Sequence, residues 1–537
     1  MLGKDLVGSA LAARGFDRVF AMLGGTNVQW AVQAEASGAL VLVRTRHEDA
    51  AVAAAIGAAR TTGRPACCTV SRGPGFTNSI TALAAAAKSS VPILLITGES
   101  SNRRLSSQDI DQRALAEIAG AGYQEARSAA ELLSVLDSAV DVLESRGVPQ
   151  VIEIETSIYG IASPVMTSHA TRRKASTVIP DRDAIAHAAD ALDGAAHPLI
   201  LAGAGALFSG ASTTLAEIAH LTAARLATTL RTNHMFSGDP HDIGLCGGWS
   251  PPPVRSALAE TDVVIAAGAS LNHYTTAEGL AFPNASIYHL DFAPQPGLHS
   301  VQGDLRYTVP ALRAAVEERL GDESVRRPAP EVPGREQLLD SVFSVPAGHD
   351  PSRGIDPIRL YERLDALLPE DRIVVTDTGR FLGTIPTIIR ARDALSWLDG
   401  NSFSAIGLGL GTAIGAASAN PERPIVLITG DGGFTLASHD LASITTNRLN
   451  LTVVIVNDRQ LGSEAKYLRA LSLPGDAIKL DMPDAVLLAR AVGGEGVVID
   501  RLEQLDRIDF RRLGLQLIDV RVDPEVDVRS VIARWAA

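Results

Sequence analysis

Short apolar runs, rich in Val, Ile and Leu, alternate along the chain with longer amphipathic or Ala-rich stretches. Such runs, bounded by Gly, Pro or polar residues, predict buried strands of a parallel sheet, and the stretches between them predict helices. The predicted strands of the first third are 18–22, 40–44, 66–71, 93–97 and 150–155. Those of the remaining chain are 198–202, 226–229, 263–267, 287–290, 373–376, 425–429, 451–456 and 516–522. This alternation predicts an α/β protein built from doubly wound parallel sheets.

Two stretches with the composition of linkers divide the pattern into three parts. They are 164–175 and 326–350, and the second is rich in Pro, Gly and charged residues. A length of 537 residues corresponds to about three domains at roughly 100–200 residues each. We therefore expect domains at 1–165, 178–320 and 352–537.

Composition and charge exclude several classes of partner. The formal net charge of −13 and the absence of a basic stripe argue against nucleic acid. No apolar run approaches the roughly 20 residues of a membrane span, and the N-terminus is typical of an amphipathic helix rather than a signal peptide. The cysteines, Cys67, Cys68 and Cys246, lack metal-ligand spacing, which favours buried thiols in a reducing compartment. We expect a cytoplasmic protein with no membrane or nucleic-acid partner.

The stretch 424–462 carries the first candidate chemistry. Its first apolar run ends in Gly430-Asp431-Gly432-Gly433, and its second ends in Asn457. Both strands therefore deliver an oxygen-bearing side chain to the carboxyl edge of a sheet, where open α/β sheets bind ligands. Carboxylate, amide and carbonyl oxygens suit Mg²⁺, which shares its coordination shell with substrate phosphates. The alternative is a tight strand-to-helix turn and an ordinary helix cap.

A second candidate is Glu48, which lies between a buried strand and the Ala-rich stretch 50–60. A carboxylate so placed is poorly solvated, which suits proton transfer near neutral pH. The alternative is a helix-start Glu stabilised by the helix dipole. His47-Glu48 does not begin a zinc-binding HExxH motif, because Ala51 occupies the place of the second His.

Together these motifs resemble the thiamine diphosphate (ThDP) enzymes. Gly432 and Asn457 are separated by 24 residues, as in the GDG…N signature of that family. The N-terminal third resembles the pyrimidine-binding domain of the acetolactate synthase and benzoylformate decarboxylase (pyruvate oxidase-like) group at 20–24, 46–51, 72–78, 92–98 and 108–111. Three departures, at Leu23 (with Ala21), Arg72 and Asp109, lie at pocket positions of the family, so they affect the expected substrate more than the expected cofactor.

The resemblance implies ThDP and Mg²⁺ as cofactors, and it implies roles for particular residues. The metal ligands would be Asp431, Asn457 and the carbonyl of Arg459. Glu48 would be the catalytic glutamate, with Glu464, Gln108 and His439 as further catalytic candidates. The bulky Ile406 would bend the cofactor into its V shape, and Arg380 could contact the diphosphate. The complete set of implied cofactor-binding residues is Gly24, Gly25, Thr26, Glu48, Pro74, Asn78, Gly379, Arg380, Ser404, Ile406, Gly430, Asp431, Gly432, Gly433, Asn457, Leu461 and Gly462.

The middle third resembles the central domain of the family, which carries FAD in some members. Gly203-Ala204-Gly205 begins like a dinucleotide-binding fingerprint, but Phe208 stands in place of the third glycine. We therefore expect a structural role for this domain and no FAD.

The resemblance implies a decarboxylase or carboligase that acts on a 2-oxo acid through a ylide and an enamine. One alternative is a lyase that cleaves a 2-hydroxy ketone, an acyloin or a 2-hydroxyacyl compound without decarboxylation. Another is a non-catalytic ThDP-binding subunit, which an intact Glu48 disfavours. A flavin or nicotinamide oxidoreductase is disfavoured by the incomplete fingerprint. Because the family's active site joins domains of two subunits, the resemblance also implies at least a homodimer, and a homotetramer is expected.

Overall fold

The computed structural model describes residues 2–99, 107–162, 178–321, 328–343, 349–400 and 403–526. In these residues it contains three six-stranded sheets, each formed by one contiguous part of the chain and each entirely parallel. The predicted fold class, α/β with three doubly wound sheets, is confirmed. No helix in the described ranges is long and apolar enough to cross a membrane.

The first sheet has the order β2-β1-β3-β4-β6-β5. Its buried central strands are apolar on both faces because helices cover both sides. The strands are β1 Arg18–Ala21, β2 Val41–Arg44, β3 Ala66–Thr69, β4 Ile93–Gly98, β5 Gly122–Ala126 and β6 Gln150–Ile154. The helices are α1 Gly3–Ala13, α2 Val28–Ala36, α3 Glu48–Thr62, α4 Pro74–Thr77, α5 Ile80–Lys88, α6 Gln112–Ile118 and α7 Ala129–Arg146.

The second sheet has the order β12-β11-β10-β7-β8-β9. Its strands are β7 Pro198–Ala202, β8 Arg225–Thr228, β9 Asp242–Leu245, β10 Val263–Ala267, β11 Ser286–Asp291 and β12 His299–Gln302. The helices of this region are α8 Arg182–Gly194, α9 Ala204–Phe208, α10 Ser212–Thr222, α11 Pro252–Ala259, α12 Leu305–Leu320 and α13 Arg335–Phe343.

Helix α13 lies inside 326–350, which the composition predicted as a linker. Its sequence spaces Leu338, Leu339, Val342 and Phe343 three to four residues apart, as expected for an amphipathic helix. Val342 is buried, and the helix packs against α11. The other predicted linker, 164–175, lies outside the described residues.

The third sheet has the order β14-β13-β15-β16-β18-β17. Its strands are β13 Ile373–Thr376, β14 Trp397–Leu398, β15 Ile425–Gly430, β16 Leu451–Asn457, β17 Glu495–Ile499 and β18 Leu515–Arg521. Its helices are α14 Pro357–Leu367, α15 Ile385–Ile388, α16 Leu408–Ala419, α17 Asp431–Ala437, α18 Leu441–Thr446, α19 Gly462–Ala470 and α20 Ala485–Ala491. Short 3-10 turns occur at Thr156–Gly160, Leu230–Thr232, Arg380–Gly383, Ala394–Ser396, Ser438–Asp440, Asp476–Ile478 and Leu502–Arg507.

The first and third sheets are joined through α3 and α16, which share one hydrophobic core. Both helices are rich in Ala and Gly, and their backbones are in close contact. A Cβ added to Gly411 would lie 3.0 Å from the Cα of Ala50, and one added to Gly415 would lie 1.8 Å from the carbonyl oxygen of Ala54. Since both contacts advance by four residues along each helix, α3 and α16 run parallel, and their N-termini lie at the same end of the pair.

Candidate active site

Glu48 is the first residue of α3, one residue after the N-cap His47. Its side chain is half-buried, and its Oε2 accepts a hydrogen bond of 3.1 Å from Nδ2 of Asn78. A Cβ added to Gly75 would lie 3.2 Å from Oε1 of Glu48 and 3.3 Å from Cβ of Ser71. The glycine turn at the end of β3 therefore lets the backbone approach the carboxylate closely. The structure thus brings together the predicted residues Glu48 and Asn78.

The turn after β1 lies next to the turn after β3 that approaches Glu48. The backbone N–H of Gly24 donates to Oδ1 of Asn27 (2.7 Å), and the hydroxyl of Thr26 lies 3.2 Å from that of Ser71. Gly24 has no room for a side chain, because an added Cβ would lie 2.7 Å from Cβ of Ser71. The predicted residues Gly24 and Thr26 are therefore neighbours of the turn that approaches Glu48. Pro74, the first residue of α4, and Gly25 are exposed nearby.

Gln108 approaches this group from the stretch that leads to α6. Its carbonyl oxygen lies so close to Gly73 that an added Cβ there would be 2.4 Å away, and Gly73 adopts a φ of +59°. The side chain of Gln108 accepts a bond of 3.4 Å from Nε of Arg72. Arg72, one of the departures from the family pattern, therefore faces one of the catalytic candidates.

A cavity of about 840 Å³ opens at this edge of the first sheet. Burial, followed by the charge of Glu155, raises the pKa of the Glu99 carboxyl in its wall. The charged side chains that line the cavity are four carboxylates and two guanidinium groups: Glu99, Glu125, Glu153, Glu155, Arg72 and Arg127.

The predicted metal ligands converge at the carboxyl edge of the third sheet. Asp431 is 3% exposed at the start of α17, and its Oδ2 makes no hydrogen bond within the described chain. Burial and then the charge of Asp458 raise the pKa of Asp431 to about 7, against the lowering effect of the N–H groups of Gly432 and Arg459. The Arg459 N–H also lies 3.1 Å from Oδ1 of Asn457. One backbone amide is therefore directed at both predicted side-chain ligands.

These residues fit a divalent cation. An unpaired, buried carboxylate oxygen is costly unless a positive group binds it. The carbonyl of Arg459 accepts one hydrogen bond, from Leu480 at 2.9 Å, and a carbonyl oxygen has a second lone pair. The described residues hold no group of three or more His, Cys, Asp or Glu side chains that could bind a metal. Asp431, Asn457 and Arg459 instead offer a carboxylate, an amide and a carbonyl oxygen, which are the ligands that Mg²⁺ takes.

Arg380 has a different environment from the one predicted. Its guanidinium group forms an ion pair with Asp458 (2.8 Å) and donates to the carbonyls of Pro524 (3.4 Å) and Val526 (3.2 Å). A Cβ added to Gly462 would lie 2.6 Å from Oδ2 of Asp458 and 2.8 Å from Nε of Arg380. Arg380 therefore supports the turn that follows Asn457, and its contact with a diphosphate stays a prediction.

Ile406 lies directly before α16 and is 39% exposed. A Cβ added to Gly432 would lie 3.1 Å from Leu461 and 4.0 Å from Ile406. The predicted residues Ile406, Gly432 and Leu461 are thus neighbours. Ser404 precedes them with a φ of +57°, and Gly379, Gly430 and Gly433 lie at the same edge of the sheet, next to Phe381 and Asp377.

Asp377 is a site residue that the sequence did not indicate. It directly follows β13, is 1% exposed, and accepts hydrogen bonds from the N–H groups of Thr378 and Gly407 and from the hydroxyl of Thr429. Burial raises the pKa of its carboxyl to about 6 in spite of these donors. No local pattern marks Asp377 as a site residue, because Asp after a strand is common in turns.

The two groups of residues lie in one chain and are connected by side chains of both domains. The N–H of Arg46 donates to Oδ1 of Asp440 (2.8 Å), and the rings of His47 and His439 lie 5.0 Å apart. His439 thus lies beside the residue that precedes Glu48, and it pairs with Asp440 at 3.1 Å. Glu464, by contrast, is exposed in the first turn of α19.

Three family descriptions match the chain in the same order as its three sheets. The thiamine pyrophosphate enzyme N-terminal TPP binding domain matches residues 1–118, the central domain matches 185–312, and the C-terminal TPP binding domain matches 377–511. The chain belongs to the thiamine pyrophosphate enzymes. The predicted family is confirmed, and thiamine diphosphate is the cofactor that its N- and C-terminal domains bind.

Relatives of this ThDP enzyme extend over almost its whole length. It is 29% identical to the probable 2-ketoarginine decarboxylase of Pseudomonas aeruginosa, over 97% of this chain and 93% of the relative. It is 28% identical to the acetolactate synthase isozyme 2 large subunit of Escherichia coli, over 94% of this chain and 92% of the relative. The chain is thus an acetolactate synthase-like or decarboxylase-like enzyme.

A solved structure has the same fold. The Rhodococcus jostii ThDP-dependent 4-hydroxybenzoylformate decarboxylase superposes with a TM-score of 0.81, at 18% identity, over 97% of this chain and 99% of that chain. In this ThDP enzyme, a further cavity of about 320 Å³ lies at the carboxyl edge of the second sheet, and Gly205, Gly268, Asp291 and Arg231 are among the residues that line it. The expected absence of FAD stays a prediction.

Proposed function

We propose that this protein is a Mg²⁺- and ThDP-dependent decarboxylase or carboligase that acts on a 2-oxo acid. The observation that carries the proposal is Glu48, which is held by Asn78 at 3.1 Å at the start of α3. Because the family's active site joins domains of two subunits, Glu48 of one subunit would act on a cofactor that Asp431 and Asn457 of a second subunit anchor. A non-catalytic subunit would have no need of a carboxylate in this position. A relative described as a probable 2-ketoarginine decarboxylase and another that is an acetolactate synthase large subunit support the same reaction class.

The residues of the chain would divide the work between anchoring and proton control. When bound, ThDP supplies a carbon nucleophile and stabilises the carbanion that forms next to the substrate carbonyl. Asp431, Asn457 and the carbonyl of Arg459 would hold Mg²⁺ and, through it, the diphosphate. Glu48 would hold a proton at its Oε atoms, against a ring nitrogen of the cofactor, with Asn78 fixing its orientation. The apolar side chain of Ile406 would support the bent shape of the cofactor.

The experiment that tests the proposal is acid-quench proton NMR of the protein with Mg²⁺, ThDP and a panel of donors. The panel should contain neutral, cationic and anionic 2-oxo acids together with acyloins, because the acid quench preserves covalent cofactor adducts. An adduct that retains the carboxylate of a 2-oxo acid, followed by loss of carbon dioxide, is the expected result. Adducts from acyloins alone would replace the proposal with the lyase alternative. Tight ThDP binding without any adduct would favour the non-catalytic subunit.

We further propose, from the family resemblance, that the protein is at least a homodimer and in solution a homotetramer, located in the cytoplasm. Light scattering during size-exclusion chromatography measures the assembly directly. A mass equal to that of one chain at micromolar concentration would overturn this part of the proposal.

A further inference from the structure

Asp377 is a buried carboxylate to which neither the sequence motifs nor the proposed chemistry assigns a role. A carboxylate withdrawn from water is destabilising unless hydrogen bonds or cations compensate. The groups that lower its pKa here are hydrogen-bond donors, namely the N–H groups of Thr378, Gly407 and Gly409 and the hydroxyl of Thr429. Burying the carboxylate of Asp377 costs stability, so the groups that it holds in place indicate its role.

The donors come from three separate parts of the chain. Oδ1 of Asp377 accepts from the N–H of Thr378 (2.8 Å), Oδ2 accepts from the hydroxyl of Thr429 (3.1 Å), and the N–H of Gly407 lies 3.0 Å and 3.2 Å from the two oxygens. Each donor adjoins predicted cofactor-binding residues. Thr378 precedes Gly379, Gly407 follows Ile406, and Thr429 precedes Gly430-Asp431.

The first turns of two helices also pack against the carboxylate of Asp377. A Cβ added to Gly409, in the first turn of α16, would lie 2.9 Å from Cβ of Asp377. One added to Gly433, in the first turn of α17, would lie 2.5 Å from its Oδ2. Asp377 is therefore enclosed between the helix that begins after Ile406 and the helix that begins at Asp431.

The segment before α16 needs such support. Ser404 has a φ of +57° and Gly407 a φ of +91°, and left-handed backbone at a residue other than glycine persists only when surrounding contacts hold it. The hydrogen bonds from the N–H of Gly407 to Asp377 hold the end of this segment, three residues after Ser404. They fix the last residue of the segment, directly beside Ile406.

We propose that Asp377 is a positioning residue. Its carboxylate fixes the position of residues 404–407, which include Ile406, relative to Asp431. The proposal rests on the proposed function, because it concerns how the bound cofactor is bent and not whether it is held. Its expected consequence is that loss of the carboxylate leaves anchoring of the diphosphate largely intact and disturbs the cofactor's reactive end. A displacement of about 1 Å at a reacting centre can reduce turnover by about 100-fold.

The test compares Asp377→Ala with Asp377→Asn, and uses a matched control in the same domain. Asp365→Asn removes another buried carboxylate, whose partner Arg372 lies at the amino end of β13, the opposite end from Asp377. Each protein is titrated with ThDP and Mg²⁺ by calorimetry. The bound cofactor is then examined by near-ultraviolet circular dichroism, which reports the tautomer of its pyrimidine ring, and kcat and KM are measured separately.

For Asp377→Ala we expect a ThDP Kd within about fivefold of wild type, loss of the cofactor's dichroism band, and a kcat at least about 30-fold lower with little change in KM. Asp377→Asn keeps a carbonyl oxygen for Thr378 and Gly407, so it should recover the band and most of kcat. Asp365→Asn should lower the unfolding temperature and leave the band unchanged. If Asp377→Ala does not fold, Thr429→Val removes one donor and should weaken the band by itself.

Two results would overturn the positioning role. One is an Asp377→Ala protein with a lower unfolding temperature but an unchanged band and kcat, which would make the residue merely structural. The other is a complete loss of ThDP binding, which would make it part of the anchor. Failure of the wild-type protein to bind ThDP would instead overturn the proposed function together with this inference.

Discussion

At the scale of single residues, substitution of Glu48 tests the proposed chemistry most directly. We expect Glu48→Gln to keep ThDP bound and to lower turnover at least about 100-fold, because the amide cannot exchange a proton with the cofactor ring. Calorimetric ThDP binding and steady-state kinetics on the best donor measure the two effects separately. Glu35→Gln is a suitable control, since Glu35 pairs with Arg44 (2.8 Å) near the surface. Unchanged turnover in Glu48→Gln would refute the role assigned to Glu48.

Asp377 gives a second prediction at this scale, about stability and pH. Its pKa of about 6 in the folded protein lies above the value near 4 of an unfolded chain, so ionisation of Asp377 opposes folding above pH 6 and ceases to do so as the pH falls toward 4. Asp377→Asn removes this charge. We expect it to raise the free energy of unfolding by about 1–2 kcal/mol at pH 8, after allowance for a lost acceptor, with the gain shrinking between pH 6 and 4. Urea unfolding at pH 8 and pH 5 measures it, and a larger gain at pH 5 would contradict it.

At the scale of elements, the contact between α3 and α16 sets the relation between the first and third domains of one chain. A Cβ on Gly415 would lie 1.8 Å from a backbone carbonyl of α3, and a carbonyl in a helix cannot move without moving the helix. We therefore expect Gly415→Ala to destabilise the protein by about 1–3 kcal/mol, seen as a lower urea midpoint. Gly194→Ala in α8 is the control, because nothing lies within 4 Å of an added Cβ there, and it should be neutral or slightly stabilising. Equal midpoints for the two variants would mean that the helices separate easily.

The same scale explains which elements the sequence revealed. The long apolar runs predicted the central strands, because a strand buried on both faces can carry little else. The strands that the pattern missed in the described chain, β5, β9, β12, β14 and β17, all lie at sheet edges. β5 and β12 are polar and partly exposed, and β14 has only two residues, so these strands leave no apolar run to recognise. β17 contains the run Gly-Val-Val-Ile, but this run is short and partly exposed.

The candidate site, like the strands, could be predicted from the sequence only in part. Motif residues such as Glu48 and Asp431 could be recognised from local spacing. The ion pair of Arg380 with Asp458 joins residues that are 78 positions apart, and the contacts of Asp377 depend on how α16 and α17 pack. Contacts between distant parts of the chain are fixed by packing, which no local pattern encodes.

At the scale of the whole molecule, charge should discriminate among donors. The net charge of −13 and the carboxylates Glu99, Glu153 and Glu155 around the cavity beside Ser71 oppose an approaching dianion more than a monoanion. Ser71 and Glu48 both lie against Gly75, so this cavity adjoins the position of the proposed chemistry. We expect kcat/KM for 2-oxoglutarate to be at least about tenfold below that for 2-oxopentanoate, a donor of similar length without the second carboxylate.

Salt provides the control for this prediction. Screening between charges separated by more than about 10 Å is nearly complete at 0.1 M ionic strength, so the long-range part of the discrimination should shrink as salt is added, while a contribution from direct contact in the cavity should persist. Glu155→Gln removes one carboxylate of the cavity wall without touching Glu48, and it should raise kcat/KM for 2-oxoglutarate selectively. Equal use of both acids at low salt would show that other groups, such as Arg72 beside Gln108, neutralise the second carboxylate, and it would direct the search for the physiological donor toward dicarboxylic 2-oxo acids.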